Sequence, residues 1–421
     1  MRRRTILVLC VAAGLCVGVP GAFGQKSKTP RLKGYFTVRR PAQGLAMESA
    51  KSKALTSAAS PAASTTLPLW TFDVVSSRDG NTYPGVMVGL DPFHSPGSVT
   101  VPTFVIPLRI VTHTIGTSVD PKTGTISTAP GRHTFNPAAA DTACLSAPND
   151  VPTTLFSQSP ILNSATFDFG GTIVGDTQYV DAFQRGNFWN ANKDVPADSH
   201  VLLKPKFIDT ITIDVPAPLG LALDTGALGP PDFCAPMAIV DINWFDTMVT
   251  GTIIPALAAQ GVNPTNFPIF FVHNVVWASP VTNLGTCCAL GYHSLTGFPI
   301  PTQTYSPVNF DSTGLFGPGS EDTAVAAHEV GEWMNDPFTI NPTPAWGGTG
   351  QVAGCANVLE VGDPLTGTDA PPIFMPNGFT YHLQELAFFS WFFGAPSVGV
   401  NGWFSNNGTF LTDAGPVCIP Q

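Results

Sequence analysis

The sequence predicts an α+β fold, with a β-rich first half followed by a second half in which strands and helices alternate. Three observations predict it. Glycine and proline, 41 of each in 421 residues, favour strands, turns and long connections over helical bundles. Short β-branched and aromatic runs broken by turn residues fill the first half. From Ala238 onward, apolar runs of strand length alternate with helix-length segments that carry start and stop residues.

Taken in order, residues 1–24 read as an export signal. Arg2, Arg3 and Arg4 form its positive end, Ile6–Val19 its apolar stretch, and Ala22-Phe23-Gly24 a small-x-small cleavage site. The expected destination is the secreted or periplasmic space. No later stretch holds eighteen apolar residues in a row, so no membrane span is expected in the mature chain. Residues 25–67 carry eight Lys and Arg among Ala, Ser and Pro, a composition that reads as a tether. The formal net charge of −10 argues against a nucleic-acid partner, which needs a basic face. Removing the signal leaves six cysteines, an even number that suggests disulfides. The expected pairing joins Cys144 to Cys234, with Cys287 or Cys288 linked to Cys355 and Cys418.

Residues 68–234 form the expected β-rich unit, a sandwich or open barrel. Leu69–Val75, Gly85–Gly89, Val99–Val111, Thr166–Val174 and Val201–Val215 are its strand candidates, with Pro102 and Pro107 marking edges or bulges. Residues 235–421 form the second unit. Ala238–Trp244 reads as a strand and Phe245–Ala259 as a helix interrupted by Pro255. Phe267–Val276 is an apolar strand, and Thr302–Phe310 a shorter, more polar edge strand. Glu321–Asn335 is a helix begun by Ser320 and stopped by Pro337, and Tyr381–Phe393 a late apolar helix closed by Gly394 and Pro396.

The chemistry concentrates on that first capped helix. His328 and Glu332 stand four residues apart, so an imidazole and a carboxylate point at one spot, with Glu329 beside the histidine. This is the spacing of the H-E-x-x-H zinc helix with glutamate in place of the second histidine. No lysine or arginine occurs from Phe207 to Gln421, yet these 215 residues hold 17 Asp and Glu. Such carboxylates must be solvated, hydrogen-bonded, paired with the first half's few cations, or bound to metal. A metal site is the expectation. His328 and Glu332 are the assigned ligands, Glu329 the general base, and Glu360 or Asp363 the third ligand, the other orienting His328. Asp336 is a rival for that orienting role. His293 is a candidate substrate-side group or ligand, whereas His273 and His382 read as satisfied core histidines. Zinc is the expected metal, and one histidine with two carboxylates also suits calcium or manganese.

At His328–Pro337 and Glu360–Asp363 the chain resembles a family of secreted bacterial zincin-like proteins. Their pattern is H-E-x-x-E, then D-P, a Trp, an E-[IV]-G-D segment and a Tyr-x-x-Gln helix. Here the pieces are HEVGEWMNDP, Trp346, Glu360-Val-Gly-Asp363 and Tyr381-His-Leu-Gln384. The chain is more distantly similar to plant phosphate-induced, exordium-like extracellular proteins. The resemblance spans about residues 235–418, and TYPGVMVGLDPF and GDTQYVDAFQRGNFW extend it loosely upstream. It implies a zincin-like metallopeptidase-type domain acting on a protein or peptide substrate. By residue it implies a site of His328, Glu329, Glu332, Glu360 and Asp363. Two functions follow as expectations: a metal-dependent peptidase or related hydrolase, and a catalytically silent surface or matrix-binding protein that keeps the scaffold, with or without a structural ion. Glu329 favours the enzyme, because a structural site has no use for a carboxylate aimed at a water.

Overall fold

A computed structural model describes residues 32–39, 66–147, 150–192, 199–230 and 232–419. The expected export signal and most of the expected tether lie outside these. Strand accounts for 39% of the described residues and helix for 19%, and the centre is a closed seven-stranded β-barrel. The expected division into a β-rich half and a zincin-like α+β domain is therefore corrected. The barrel takes its strands from both halves. Around the wall run Ala289–Leu295, Val275–Ala278, Met237–Asp241, Gly220–Leu223, Ser98–Val119, Phe267–His273 and Thr304–Phe310. Antiparallel pairing of Thr304–Phe310 with Ala289–Leu295 closes the ring.

The 22-residue strand Ser98–Val119 is the reason the halves cannot separate. It pairs in parallel with Phe267–His273, along Thr103–Pro107, and with Gly220–Leu223 near its far end. His200–Phe207, Ile211–Asp214 and Ile126–Phe135 also hydrogen-bond to it. Pro102 and Pro107 each lack an amide donor but do not end the strand, which is long enough to tolerate both. Side chains alternate across the wall. In Phe267–His273, Phe267, Ile269 and Phe271 belong to the core that includes the His328 helix, while Phe270 and Val272 belong to the separate core that includes Phe245, Val249 and Leu257. Tyr35–Arg39, inside the expected tether, adds a parallel strand on Ala289–Leu295.

Several local expectations change for physical reasons. The segment Tyr381–Phe393 is not one helix. Thr380–Gln384 pairs with Asp369–Phe374, and only Phe389–Phe393 is helical. Across Thr380–Leu383 exposure alternates, with Tyr381 and Leu383 buried and Thr380 and His382 less so, a two-residue period that marks a strand. Thr304–Phe310 is no edge strand, since it is paired on both sides. Pro255 does not interrupt its helix. A π-turn at Val249–Ile253 precedes it, and Ile254–Leu257 continues the helical path. Cys144 and Cys234 lie at disulfide distance as expected, whereas Cys355 faces Cys418 and Cys287 faces its neighbour Cys288, so the expected link of Cys287 or Cys288 to Cys355 and Cys418 is corrected. Among the described residues no helix is long and apolar enough to cross a membrane.

Candidate metal centre

The motif helix is Ala324–Asn335, shorter at its start than the expected 321–335. Asp322 holds a left-handed φ of 35° and its carboxylate is taken by His382, so the helix begins after Thr323. The Ser320 hydroxyl donates to the Gly317 carbonyl and caps nothing. All twelve residues are buried, against the barrel on one side and the Thr380–Gln384 strand on another. Trp333 stacks on Phe267 at 3.8 Å and donates to the Thr304 hydroxyl at 3.0 Å, which fixes the helix's rotation.

Two glycines let the site close. A Cβ at Gly291 would lie 2.9 Å from Glu329 Cγ, so only glycine admits the helix there, and His293 follows on the same strand. A Cβ at Gly362 would lie 2.4 Å from His328 Nδ1. Gly331, between the two motif ligands, receives the Leu386 side chain, the close approach its helix-weakening residue type suggests.

Four of the expected residues meet around Glu332. Its Oε1 lies 3.0 Å from His328 Nε2 and accepts the Gly362 and Asp363 amides at 3.2 Å. Its Oε2 lies 3.5 Å from His293 Nδ1. Asp363 Oδ1 is 3.5 Å from His328 Nε2, and Glu329 Oε2 is 3.3 Å from His293 Nδ1. Ligand atoms of His328, Glu332 and Asp363 all lie within 4.8 Å of one another, as do those of His293, Glu329 and Glu332. Of the two residues left open as third ligand, Asp363 stands beside His328, and Glu360 stands 3.7 Å from His293 Nε2. Asp336 serves elsewhere, accepting the Ile340 and Asn341 amides at 2.9 Å.

The orienting group for His328 is Gln384, to which sequence reasoning gave no role. Its Oε1 meets His328 Nδ1 at 3.0 Å while its Nε2 donates to the Gly362 carbonyl at 2.7 Å. That donor bond fixes which end of the amide faces the imidazole. The signal was present in the Tyr-x-x-Gln segment, but only a strand delivers the amide to this spot. His273 contacts Asp141 and Ser312, and His382 contacts Asp322 at 2.6 Å, so both are satisfied.

Burial and crowding divide the titrations. Burial pushes Glu329 up to about 7. Burial also pushes Asp363 up to about 6, with the Glu332 charge adding to it. For Glu332 burial works upward, but the neighbouring His328 charge and the His293 hydrogen bond outweigh it and hold the group at about 2. Burial works downward on His293, yet hydrogen bonds to Glu329 and Glu332 raise it to about 9. No lysine or arginine stands in this half of the chain to balance the carboxylates. Comparison of the chain with family models, with curated proteins and with solved structures found no match.

Proposed function

We propose that this chain is a divalent-metal protein whose ion is held by His328, Glu332 and Asp363. The observation that carries this reading is the way His328 is presented. Gln384 Oε1 accepts from Nδ1, which turns Nε2 towards Glu332 at 3.0 Å and Asp363 at 3.5 Å. Without an ion, burial works downward on the ring, but the Glu332 charge outweighs it and raises His328 well above its ordinary 6.5. A divalent ion between the three groups would take the place of that proton. Zinc or manganese suits one imidazole with two carboxylates, and calcium suits the carboxylates alone. The ion would join the motif helix to the turn at Gly362. Cysteine pairs at disulfide distance support an oxidising, exported setting for it.

A second reading, a metal-dependent hydrolase acting on peptides, is favoured by Glu329. It is buried beside the ligand Glu332, is raised towards neutrality, and its Oε1 has no hydrogen-bond partner among the described residues. A carboxylate so placed suits a proton shuttle on metal-bound water. Burial weighs towards the structural role, since His293, His328 and Glu329 are 0% exposed and the most exposed side chain of the group, Asp363, reaches 13%.

Elemental analysis of purified protein, with melting followed with and without chelator, tests the first reading. Bound divalent ion, and a melting temperature that falls in chelator and recovers on metal addition, is the expected result. A metal-free chain that melts identically in both conditions overturns it. For the hydrolytic reading, Glu329→Gln should keep its metal and lose cleavage of a mixed peptide library, and equal cleavage by that variant removes Glu329 from the chemistry.

A further inference from the structure

The ligand geometry does not stop at one ion. Glu332 turns its two oxygens to two different imidazoles, Oε1 to His328 and Oε2 to His293. Each side has its own second carboxylate, Asp363 on the first and Glu329 on the other. We infer that the centre takes two divalent first-row cations, the second held by His293 Nδ1, Glu329 and Glu332, with the Glu332 carboxylate bridging the pair. This rests on the metal reading above and extends it.

Three further observations support the second position. The first is spacing. A tetrahedral centre with bonds of about 2.0–2.1 Å sets its donor atoms about 3.4 Å apart. His293 Nδ1 stands 3.3 Å from Glu329 and 3.5 Å from Glu332, close to that value and wide for a charge-assisted hydrogen bond. The second is unused capacity. Glu329 Oε1 is fully buried without a hydrogen-bond partner among the described residues. His293 Nε2 has none either, and faces Glu360 at 3.7 Å, a carboxylate placed to raise the ring's basicity as a ligand. The third is charge. Ionised together, Glu329, Glu332, Glu360 and Asp363 would place four negative charges in one nearly dry volume. Two imidazolium ions would leave half of that unbalanced, one divalent ion with neutral imidazoles likewise, and two divalent ions balance it.

In this arrangement Glu329 is a ligand. Glu329→Gln should then lose the second ion, whereas the hydrolytic reading has that variant keep its metal.

The test loads the purified full chain with manganese(II), counts ions per chain by elemental analysis, and records the electron paramagnetic resonance spectrum. Two ions per chain with an exchange-coupled spectrum is the expected result, falling to one ion with an isolated six-line spectrum in His293→Ala. One ion per wild-type chain overturns the inference and leaves the single-metal reading standing. No bound ion overturns both. Two ions without exchange coupling overturn the bridge. Should His293→Ala fail to fold, the wild-type count and spectrum decide the matter alone.

Discussion

Two histidine–carboxylate clusters flank the motif helix, and they differ in how tightly they close. Just before its first turn, His382 Nδ1 meets Asp322 at 2.6 Å, and the Asp322 carboxylate also takes the His382 amide. The pairs His200–Asp181 and His94–Asp91 close similarly, at 2.6 and 2.8 Å, and His273–Asp141 stands at 3.1 Å. At the candidate metal centre the corresponding contacts run from 3.0 to 3.7 Å, although those groups are more deeply buried and so have more to gain from closing. A histidine and a carboxylate that complete one another's hydrogen bonding draw together. Groups arranged around a shared third partner stay apart. The contacts of 3.3–3.7 Å around His293 and Asp363 are the spacing that the proposed ligand ring expects.

The comparison can be broken most forcefully at His328. His328→Ala should abolish metal binding, and leaving Glu332 and Asp363 buried without a cation should cost about 3–5 kcal/mol. Elemental analysis and urea unfolding read both effects, and a variant with wild-type stability would place these carboxylates among ordinary solvated groups. Gly362→Ala comes next. Its new Cβ would sit 2.4 Å from His328 Nδ1, so the ring or the turn must shift. The expected loss is about 1–3 kcal/mol together with weakened metal binding.

Gln384→Met sharpens the contrast without adding bulk. Loss of the amide that orients His328 should weaken metal binding about 10–100-fold while the fold is kept, as read by competition with a metal-sensitive dye. Unchanged affinity would mean the ring needs no orienting partner. The smallest effect belongs to the closed pair. The Asp322 hydrogen bond, partly opposed by burial, raises His382 from an ordinary 6.5 to about 9. Because the folded value is the higher one, the stabilisation is full below about pH 6.5 and is lost as pH rises through about 9. His382→Asn should cost about 1 kcal/mol or less at pH 6, flatten the melting profile between those two values, and leave metal content unchanged.

The legible parts of this molecule were the ones encoded locally. His328, Glu329 and Glu332 could be placed on one helix because helical spacing acts within four residues, and Glu360–Asp363 stood out by its own spacing. The barrel was not legible in the same way. Nothing near Thr103 announces that Phe267–Phe271 will pair with it, and fully buried strands lack the alternation that would separate a wall from a sandwich. The helix reading of 381–393 hid Gln384, since it placed that side chain on the wrong element. Gly291 and Gly362 sit within two residues of His293 and Glu360, a proximity that signals close backbone approach only once the partner is known.

The strand Ser98–Val119 has a consequence for how the chain matures. As it emerges during synthesis, it must wait for Phe267–His273 and Gly220–Leu223 before both of its sides are covered. The hinge of assembly thus lies between early and late segments, and native pairing is dominated by distant partners, which makes self-assembly slow. Until the second half arrives, a long apolar ribbon stands exposed, so a prematurely terminated product should be sticky and in need of a chaperone's cover.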